Sequence, residues 1–397
     1  MDGTRDAPWR ILPLGQLIDL SDSMREPLNS RERQQRPGPY PYYGAQGVID
    51  HIDGYRFDGR YILVAEDGEN LNSKKLPLAL FAAGKFWVNN HAHVLRGKPG
   101  LIDDVFLLAC LNSADIKPFV TGAAQPKLSQ ANLRLVPIPV PPLPVQRRIA
   151  AIVAAYDSLI ENDLRRVAIL EEMARALYRE WFVSLRFRGH EGVRLVDSQV
   201  GLIPQGWAVR GVKELAEVTY GFPFQSARFN SAADGIPLIR IRDVLSGVSE
   251  TYTDEEVDGK YRVSNGHILV GMDGDFHMTI WASGDALLNQ RVARFVPKGE
   301  IGNLHLFLAL ETPIQTLNRS IVGTTVAHLG DMHIKRIQVA CPPAGLMSRA
   351  ASLLEPMSHA IINLKRHATN LRRTRDLLLP RLLSGQLDVS SLPMAPE

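Results

Sequence analysis

The second half of the chain repeats the first. Residues 120–142 read VTGAAQPKLSQANLRLVPIPVPP and residues 321–343 read IVGTTVAHLGDMHIKRIQVACPP. Gly122 faces Gly323, Leu128 faces Leu329 and Pro141-Pro142 faces Pro342-Pro343, all at a spacing of 201 residues. Phe106-Leu107 matches Phe307-Leu308 at the same spacing. Further upstream Asn89 matches Asn289, Ile62-Leu63-Val64 matches Ile268-Leu269-Val270, and Asp67-Gly68 matches Asp273-Gly274. Trp9 and Leu17 match Trp207 and Leu215, and the spacing drifts between 198 and 206, as small loop insertions would produce. The matches are scattered, so one scaffold is used twice with most side chains changed, unlike a solenoid of short repeats. A duplicated chain suggests a duplicated target, and duplex DNA is a long target with two similar halves.

At 397 residues the chain is long enough for about two to four domains, each with its own core. Its 45% hydrophobic and 22% charged content is ordinary for a soluble globular protein. No apolar run approaches the roughly 20 residues of a membrane helix. The opening MDGTRDAPWR has early acids and no apolar stretch, so it is not read as a secretory signal. A cytoplasmic protein without a membrane partner is expected. Cys110 and Cys341 sit in apolar contexts and read as buried free thiols rather than a disulfide.

The formal net charge of +3 is too small to announce nucleic-acid binding, but it is unevenly spread. Residues 145–186 hold seven Arg/Lys against six Asp/Glu, and residues 346–384 hold seven against two. The rest of the chain therefore carries a net −3, so any DNA-facing surface there is a local patch.

The texture alternates between globular and helical. Residues 9–142 mix short β-type runs (YILVA, FWVNN, LRLVPIPV) with Gly/Asp/Asn turns, and the Asp-Gly pairs at 67–68 and 273–274 suggest tight turns. LIDDVFLLACLNS and NLHLFLALETPIQTLN read as helices, which makes each globular half mixed α and β. From Val145 to Trp181 there is neither proline nor glycine. Apolar residues recur there at steps of three and four: Ile149, Val153, Tyr156, Ile160, Val167, Leu170, Ala174, Leu177 and Trp181, with Asp163 the one polar interruption. Adding 201 gives Ala350, Leu354, Met357, Ile361, Leu364, Ala368, Leu371, Leu378 and Leu382, interrupted by Arg375, with Pro380 expected to bend or end the helix early. These are heptad stripes, the signature of a coiled-coil seam, although ordinary amphipathic helices packed on their own domains would also produce them. A helix of about 37 residues would be roughly 55 Å long.

The expected fold class is α+β: two mixed α/β domains separated by two long helices packed as an antiparallel coiled coil, with a pseudo-twofold internal repeat. The expected boundaries are 1–142 and 189–343 for the globular domains, 143–188 for the first helical region, and 344–397 for the second with its tail.

No P-loop, nucleophile elbow, HExxH, paired CxxC or methyltransferase motif is present, so no enzyme and no bound cofactor are read from the sequence. His91 and His93 alternate with small residues and read as one face of a strand, but they lack a third metal ligand at a recognisable spacing. Copy two has Arg291 and Ala293 there. Glu66, Asp67 and Glu69 could suggest a nuclease carboxylate set, but an Asp-Gly turn explains them more simply. The remaining polar residues suit DNA readout. PYPYYGAQG reads as a Pro/Gly-rich loop whose tyrosines, Tyr42 and Tyr43 among them, could pack on sugars or bond phosphates. Lys74, Lys75, Lys85, Arg96 and Lys127 are the basic candidates of the first half, joined by Asn89 and His91. In the second half IRIRDV places Arg240 and Arg242 on one face of a strand, joined by Arg228, Arg291 and His328.

The chain as a whole resembles a specificity (S) subunit of a type I restriction–modification system. PPLPVQRRIAAIVAAYDSLIENDLRRVAILEEM resembles the family's first conserved helical region, and LLLPRLLSGQLDV resembles its C-terminal conserved end. GLIPQGWAVRGVKELAEV, then GFPFQS and GIPLIRIRDV, resemble a target-recognition domain, and YYGAQGVIDHIDGYRFDGRYILVAEDG resembles another subtype of it. Val145 stands where the family often has Glu, and Met347 replaces in copy two the Gln146 of copy one. These departures bear on helix capping and subunit docking more than on architecture.

The resemblance implies a non-catalytic reader of a bipartite, asymmetric duplex DNA site, with the helices as spacer. It also implies docking of two methyltransferase subunits, which would bind S-adenosylmethionine, and of motor-nuclease subunits where a system has them. A stand-alone DNA-binding regulator or a coiled-coil adaptor without DNA contact are the competing expectations. Co-purification of a methyltransferase separates the first, and salt-dependent DNA binding separates the second.

Overall fold

The computed structural model describes residues 9–122, 125–320 and 328–392. Gly323, part of the repeated block, lies outside them. The chain divides into two compact units, one of Met1–Ser158 with Arg372–Glu397 and the other of Leu159–Leu371.

Each unit is α+β, and both use the same order of elements. In the first, the strand Arg10–Pro13 pairs antiparallel with Pro137–Val140, and a one-turn helix Leu14–Leu17 leads into the strand Ile18–Leu20. An antiparallel sheet follows in the order Ile18–Leu20, Ala92–Gly97, Tyr61–Ala65, Ala79–Ala82. The second unit pairs Ala208–Gly211 with Gln338–Cys341 and runs through the helix Val212–Leu215. Its antiparallel sheet has the order Ala216–Tyr220, Val292–Pro297, Ile268–Gly271, Met278–Ile280. Each unit also carries a sheet containing one parallel pair. In the first unit Pro37–Gly44 lies beside Lys85–Val88, and in the second Ile236–Ile239 lies beside Ala286–Leu288.

The matched ILV runs show why these strands are apolar throughout rather than alternating. Side chains on a strand point to opposite faces, and here both faces are covered. Ile62 and Val64 enter the main core of the first unit, with Phe106, Leu107 and Ile149. Leu63 points the other way, into a cluster with Phe57, Phe86, Val88 and Val94. In the second unit Ile268 and Val270 join Phe295, Leu306 and Leu310, while Leu269 packs with Trp281 and Leu288. Each fully buried Leu, Ile or Phe contributes about 1.5–3 kcal/mol relative to exposure. The free thiols of Cys110 and Cys341 are buried in these two main cores.

The helix Asp104–Ser113 is capped by the Asp103 carboxylate, which accepts the Val105 and Phe106 N–H groups. Gln146, fully buried, ties this helix to the first long helix. Its Oε1 accepts the Asp103 N–H at 2.9 Å, and its Nε2 donates to Leu101 O at 3.1 Å and Pro141 O at 2.8 Å. Met347, buried at the matching place in the second unit, fills its site by packing instead.

The long helices run over Leu143–Tyr178, with a wider π-type turn Arg179–Val183 after it, and over Ala344–Leu383. The unit boundaries fall inside both. Every stripe residue is buried or half-buried, including Ile149, Val153, Tyr156, Ile160, Val167, Leu170 and Leu177 on the first helix. Leu354, Met357, Ile361, Leu364, Leu371 and Leu378 behave alike on the second. Pro380 does not end the second helix, which continues through it to Leu383. No described helix is long and apolar enough to cross a membrane.

Candidate nucleic-acid interface

The scattered sequence candidates sort into those that converge and those that do not. In the first unit, the turn between Lys85–Val88 and Ala92–Gly97 carries Asn89, Asn90 and His91. The Asn89 N–H donates to Tyr43 O at 3.0 Å, and its buried side-chain oxygen accepts the His91 N–H at 2.8 Å. The His91 carbonyl accepts the Glu66 N–H at 2.9 Å. Asn90 and His91 are then left exposed. His91 Nδ1 lies 2.7 Å from the Asp67 carboxylate, and Asp67 forms a β-bridge with Lys127. Asn89, His91 and Lys127 are thus one place, held by Asp67.

The second unit builds the same place from different residues. Asn289 donates to Ile239 O at 3.2 Å, and its side chain accepts the Gln290 N–H at 2.8 Å. The Arg291 carbonyl accepts the Met272 N–H at 2.8 Å. Gln290 and Arg291 are exposed. Arg291 Nε lies 3.4 Å from Asp273, His328 Nδ1 lies 2.6 Å from the same carboxylate, and Asp273 bridges to His328 as Asp67 does to Lys127. Arg291 has φ of 70°, a left-handed conformation that is unfavourable for a residue with a side chain of this size. Both Asp-Gly steps do turn the chain, at Gly68 and Gly274 with positive φ, and their aspartates also contact His91 in the first unit and Arg291 and His328 in the second.

Beneath the first-unit cluster lies a buried polar network that no local pattern announced. Asp22, Glu66 and His93 bring one ligand atom each to within 4.8 Å of one another, which supplies the third partner His93 lacked in sequence. The cluster is already served by cations: Arg25 reaches Glu66 at 2.6 Å and Asp22 at 3.3 Å, and Lys127 reaches Glu66 at 3.2 Å. Burial pushes the Asp22 carboxyl up, yet the hydrogen bonds from His93 and the Val94 N–H hold it below its ordinary value. Burial likewise opposes ionisation of Glu66, and the Arg25 guanidinium and the His93 charge outweigh it. Through Glu66 the network is tied to the Lys127 ammonium.

Several expectations are corrected. PYPYYG is not a loop but most of the strand Pro37–Gly44, so its side chains alternate. Tyr42 is fully buried, its hydroxyl accepting the Leu28 N–H at 2.8 Å, and it cannot touch a ligand. Tyr43 is half-buried against Phe86 at 5.6 Å between ring centres. Arg240 and Arg242 do not share a strand face. The strand ends at Ile239 because Asp243 accepts the Arg240 N–H at 2.8 Å and starts the helix Ile241–Ser246. Arg240 lies 3.6 Å from Asp243, while the Arg242 side chain is 70% exposed. Asn89 supports its turn with a buried side chain. His91 and His93 also part company, the first exposed in the turn and the second buried in Ala92–Gly97.

Other candidates lie elsewhere on their units. Lys74 donates to Ala114 O and, with Lys75, borders a groove lined by Leu108, Val153 and Arg375. Lys85 stands 4.6 Å over the Tyr55 ring, Arg96 3.6 Å over Tyr61, and Arg228 pairs with Asp254 at 2.8 Å. Asn90 and Gln290, exposed beside these clusters, were not among the sequence candidates, and Asp67 and Asp273 were read there as turn residues. The matched NNH and NQR strings were the available signal.

A family model described as the type I restriction modification DNA specificity domain matches the chain twice, over residues 7–171 and 204–370. A putative type I restriction enzyme specificity subunit of Haemophilus influenzae is 34% identical over 366 residues, covering 88% of this chain and 87% of the relative. The type I restriction enzyme EcoBI specificity subunit of Escherichia coli is 34% identical over 190 residues, 47% of this chain and 40% of that one. Among solved structures, the type I restriction-modification S subunit from M. genitalium is similar in fold. Its TM-score is 0.62 at 15% identity, with 96% of this chain and 98% of that chain covered.

Proposed function

We propose, for a chain that belongs to the family of type I restriction–modification specificity subunits, that each unit reads one half of a bipartite, asymmetric duplex DNA site. The observation that carries this reading is the paired cluster. One scaffold, used twice, exposes His91 and Lys127 around Asp67 in the first unit, and Arg291 and His328 around Asp273 in the second. Basic side chains at matched places suit matched phosphate contacts, while different side chains there suit different half-sites. A palindrome would call for the same side chains twice.

The reading assigns recognition to residues 1–142 and 189–343, and a spacer to residues 143–188 and 344–397. The helices form an antiparallel coiled coil around a pseudo-twofold axis and set the distance between half-sites. In support, Asp163 and Glu171 of the first helix meet His367 and Lys365 of the second within one unit. The chain itself is non-catalytic and works in the cytoplasm. It docks two methyltransferase subunits, which bind S-adenosylmethionine, and motor-nuclease subunits where the system includes them.

The test is a map of modified bases in DNA from cells carrying this chain with its methyltransferase. Residues 1–140 are then exchanged for those of another specificity subunit. The expected result is a two-part motif in which only one part changes. A palindromic motif, or a change in both parts, would count against the assignment.

A further inference from the structure

We propose that Asn90 and Gln290 are base-reading residues, each addressing one base pair in the half-site read by its own unit. The inference rests on the DNA-reading function proposed above and names the side chains that would supply sequence discrimination.

Three observations converge on these two positions. First, the backbone around each is fixed. The chain before residue 90 bonds to Tyr43 and the chain after it to Glu66; the matching bonds around residue 290 go to Ile239 and Met272. In the second unit the Gln290 N–H is also held by Phe222 O at 2.8 Å. Gly221 makes that approach feasible, because a Cβ on it would lie 1.9 Å from Asn289 O. A side chain on so well tied a turn starts from a defined position, which a reading group requires.

Second, both side chains are exposed, and among the described residues neither amide has a hydrogen-bond partner. An amide offers a donor and an acceptor side by side, the pattern that meets N7 and N6 of adenine in the major groove. Third, each amide is followed by a basic residue (His91 or Arg291), with another (Lys127 or His328) on the loop joined to the same aspartate. Phosphate contacts position a protein on the duplex and base contacts specify sequence, so an amide flanked by basic side chains that can donate to phosphate has the arrangement for readout. Asn90 and Gln290 differ by one methylene, so one scaffold would reach to different depths.

The test uses the full chain in complex with its methyltransferase, comparing the parent with Asn90→Ala, Gln290→Ala and Gln290→Glu. Modified bases are mapped, and binding to motif and non-motif duplexes is measured across a salt series. Gln290→Ala should relax one base pair in the half-site of the second unit, with discrimination falling on the order of tenfold to a hundredfold. Asn90→Ala should do the same in the other half, and each untouched half is an internal control for folding. Gln290→Glu, left with acceptors only, should shift the preference at that position towards a cytosine-bearing strand. Unchanged motifs in all three variants would overturn the inference. So would a uniform loss of binding on every duplex with a shallower salt dependence, the behaviour of a phosphate contact. If the parent complex itself shows no sequence preference, the DNA-reading function fails along with it.

Discussion

In the second unit, His367 Nδ1 lies 2.6 Å from a carboxylate oxygen of Asp163. Asp163 is the polar interruption in the first apolar stripe and is only 6% exposed. Glu171 meets Lys365 at 2.8 Å in the same unit, so partner numbers fall along one helix as they rise along the other. That order suits helices running in opposite directions. A buried acid within an apolar seam contributes little net stability, but it penalises every register that leaves it unpaired.

Asp163→Leu should therefore be neutral or stabilising in chemical denaturation, because an apolar side chain suits the stripe. His367→Ala should destabilise by about 1–2 kcal/mol, since it leaves a buried carboxylate without its partner. If Asp163→Leu proved as harmful as His367→Ala, the pair would be a source of stability rather than of register.

The matched cations make a prediction about salt. Lys127→Ala and Arg291→Ala should each weaken DNA binding by the complex across all sequences. Each should reduce the slope of log affinity against log salt by about one. The recognised motif should stay as it was. A changed motif with an unchanged slope would move these residues from phosphates to bases.

Gly221→Ala should disturb one half-site only. Its Cβ would meet Asn289 O at 1.9 Å and Asn289 C at 2.3 Å, both backbone atoms with little room to yield. The expected cost is about 1–3 kcal/mol of stability. The expected functional readout is relaxed modification in the half read by the second unit, with the first half intact. Equal damage to both halves would mean that the substitution acts by unfolding the chain.

His305 supplies a pH dependence. It is 2% exposed, packs 4.5 Å from Phe182 and 5.4 Å from Tyr178, and its Nδ1 has no hydrogen-bond partner among the described residues. Burial pushes its imidazole from 6.5 down to about 4. Between those values the unfolded chain binds a proton that the folded chain excludes. Stability present above pH 6.5 is therefore lost as the pH falls towards 4, by up to a few kcal/mol at roughly 1.4 kcal/mol per unit. Melting temperatures from pH 7 to 4 should fall less steeply for His305→Leu than for the parent. Parallel curves would remove His305 as the cause.

The sequence exposed what is periodic or repeated and concealed what is assembled from a distance. The apolar stripes were legible because helix geometry demands a residue every three or four positions. The Asn89/Asn289 match was legible because the same turn needs the same support twice. The network of Asp22, Arg25, Glu66, His93 and Lys127 was not, since its members meet only after the sheet forms. PYPYYG read as a loop from its prolines and glycines, yet Tyr42 and Tyr43 alternate between a buried and a half-buried face as a strand requires. The strand expected through IRIRDV stops at Ile239, where the Asp243 carboxylate, three residues beyond Arg240, accepts the Arg240 N–H and caps a helix.

The turns that display Asn90-His91 and Gln290-Arg291 are held by backbone bonds and by the buried Asn89 and Asn289, not by the displayed residues themselves. Replacing a displayed side chain therefore leaves those ties untouched. Selection can alter either turn by single substitutions while the protein keeps folding, and can do so in one unit without consulting the other. Under the proposed readout, an exchange at residue 90 or at residue 290 would alter one half-site while the turn that displays it keeps its backbone ties.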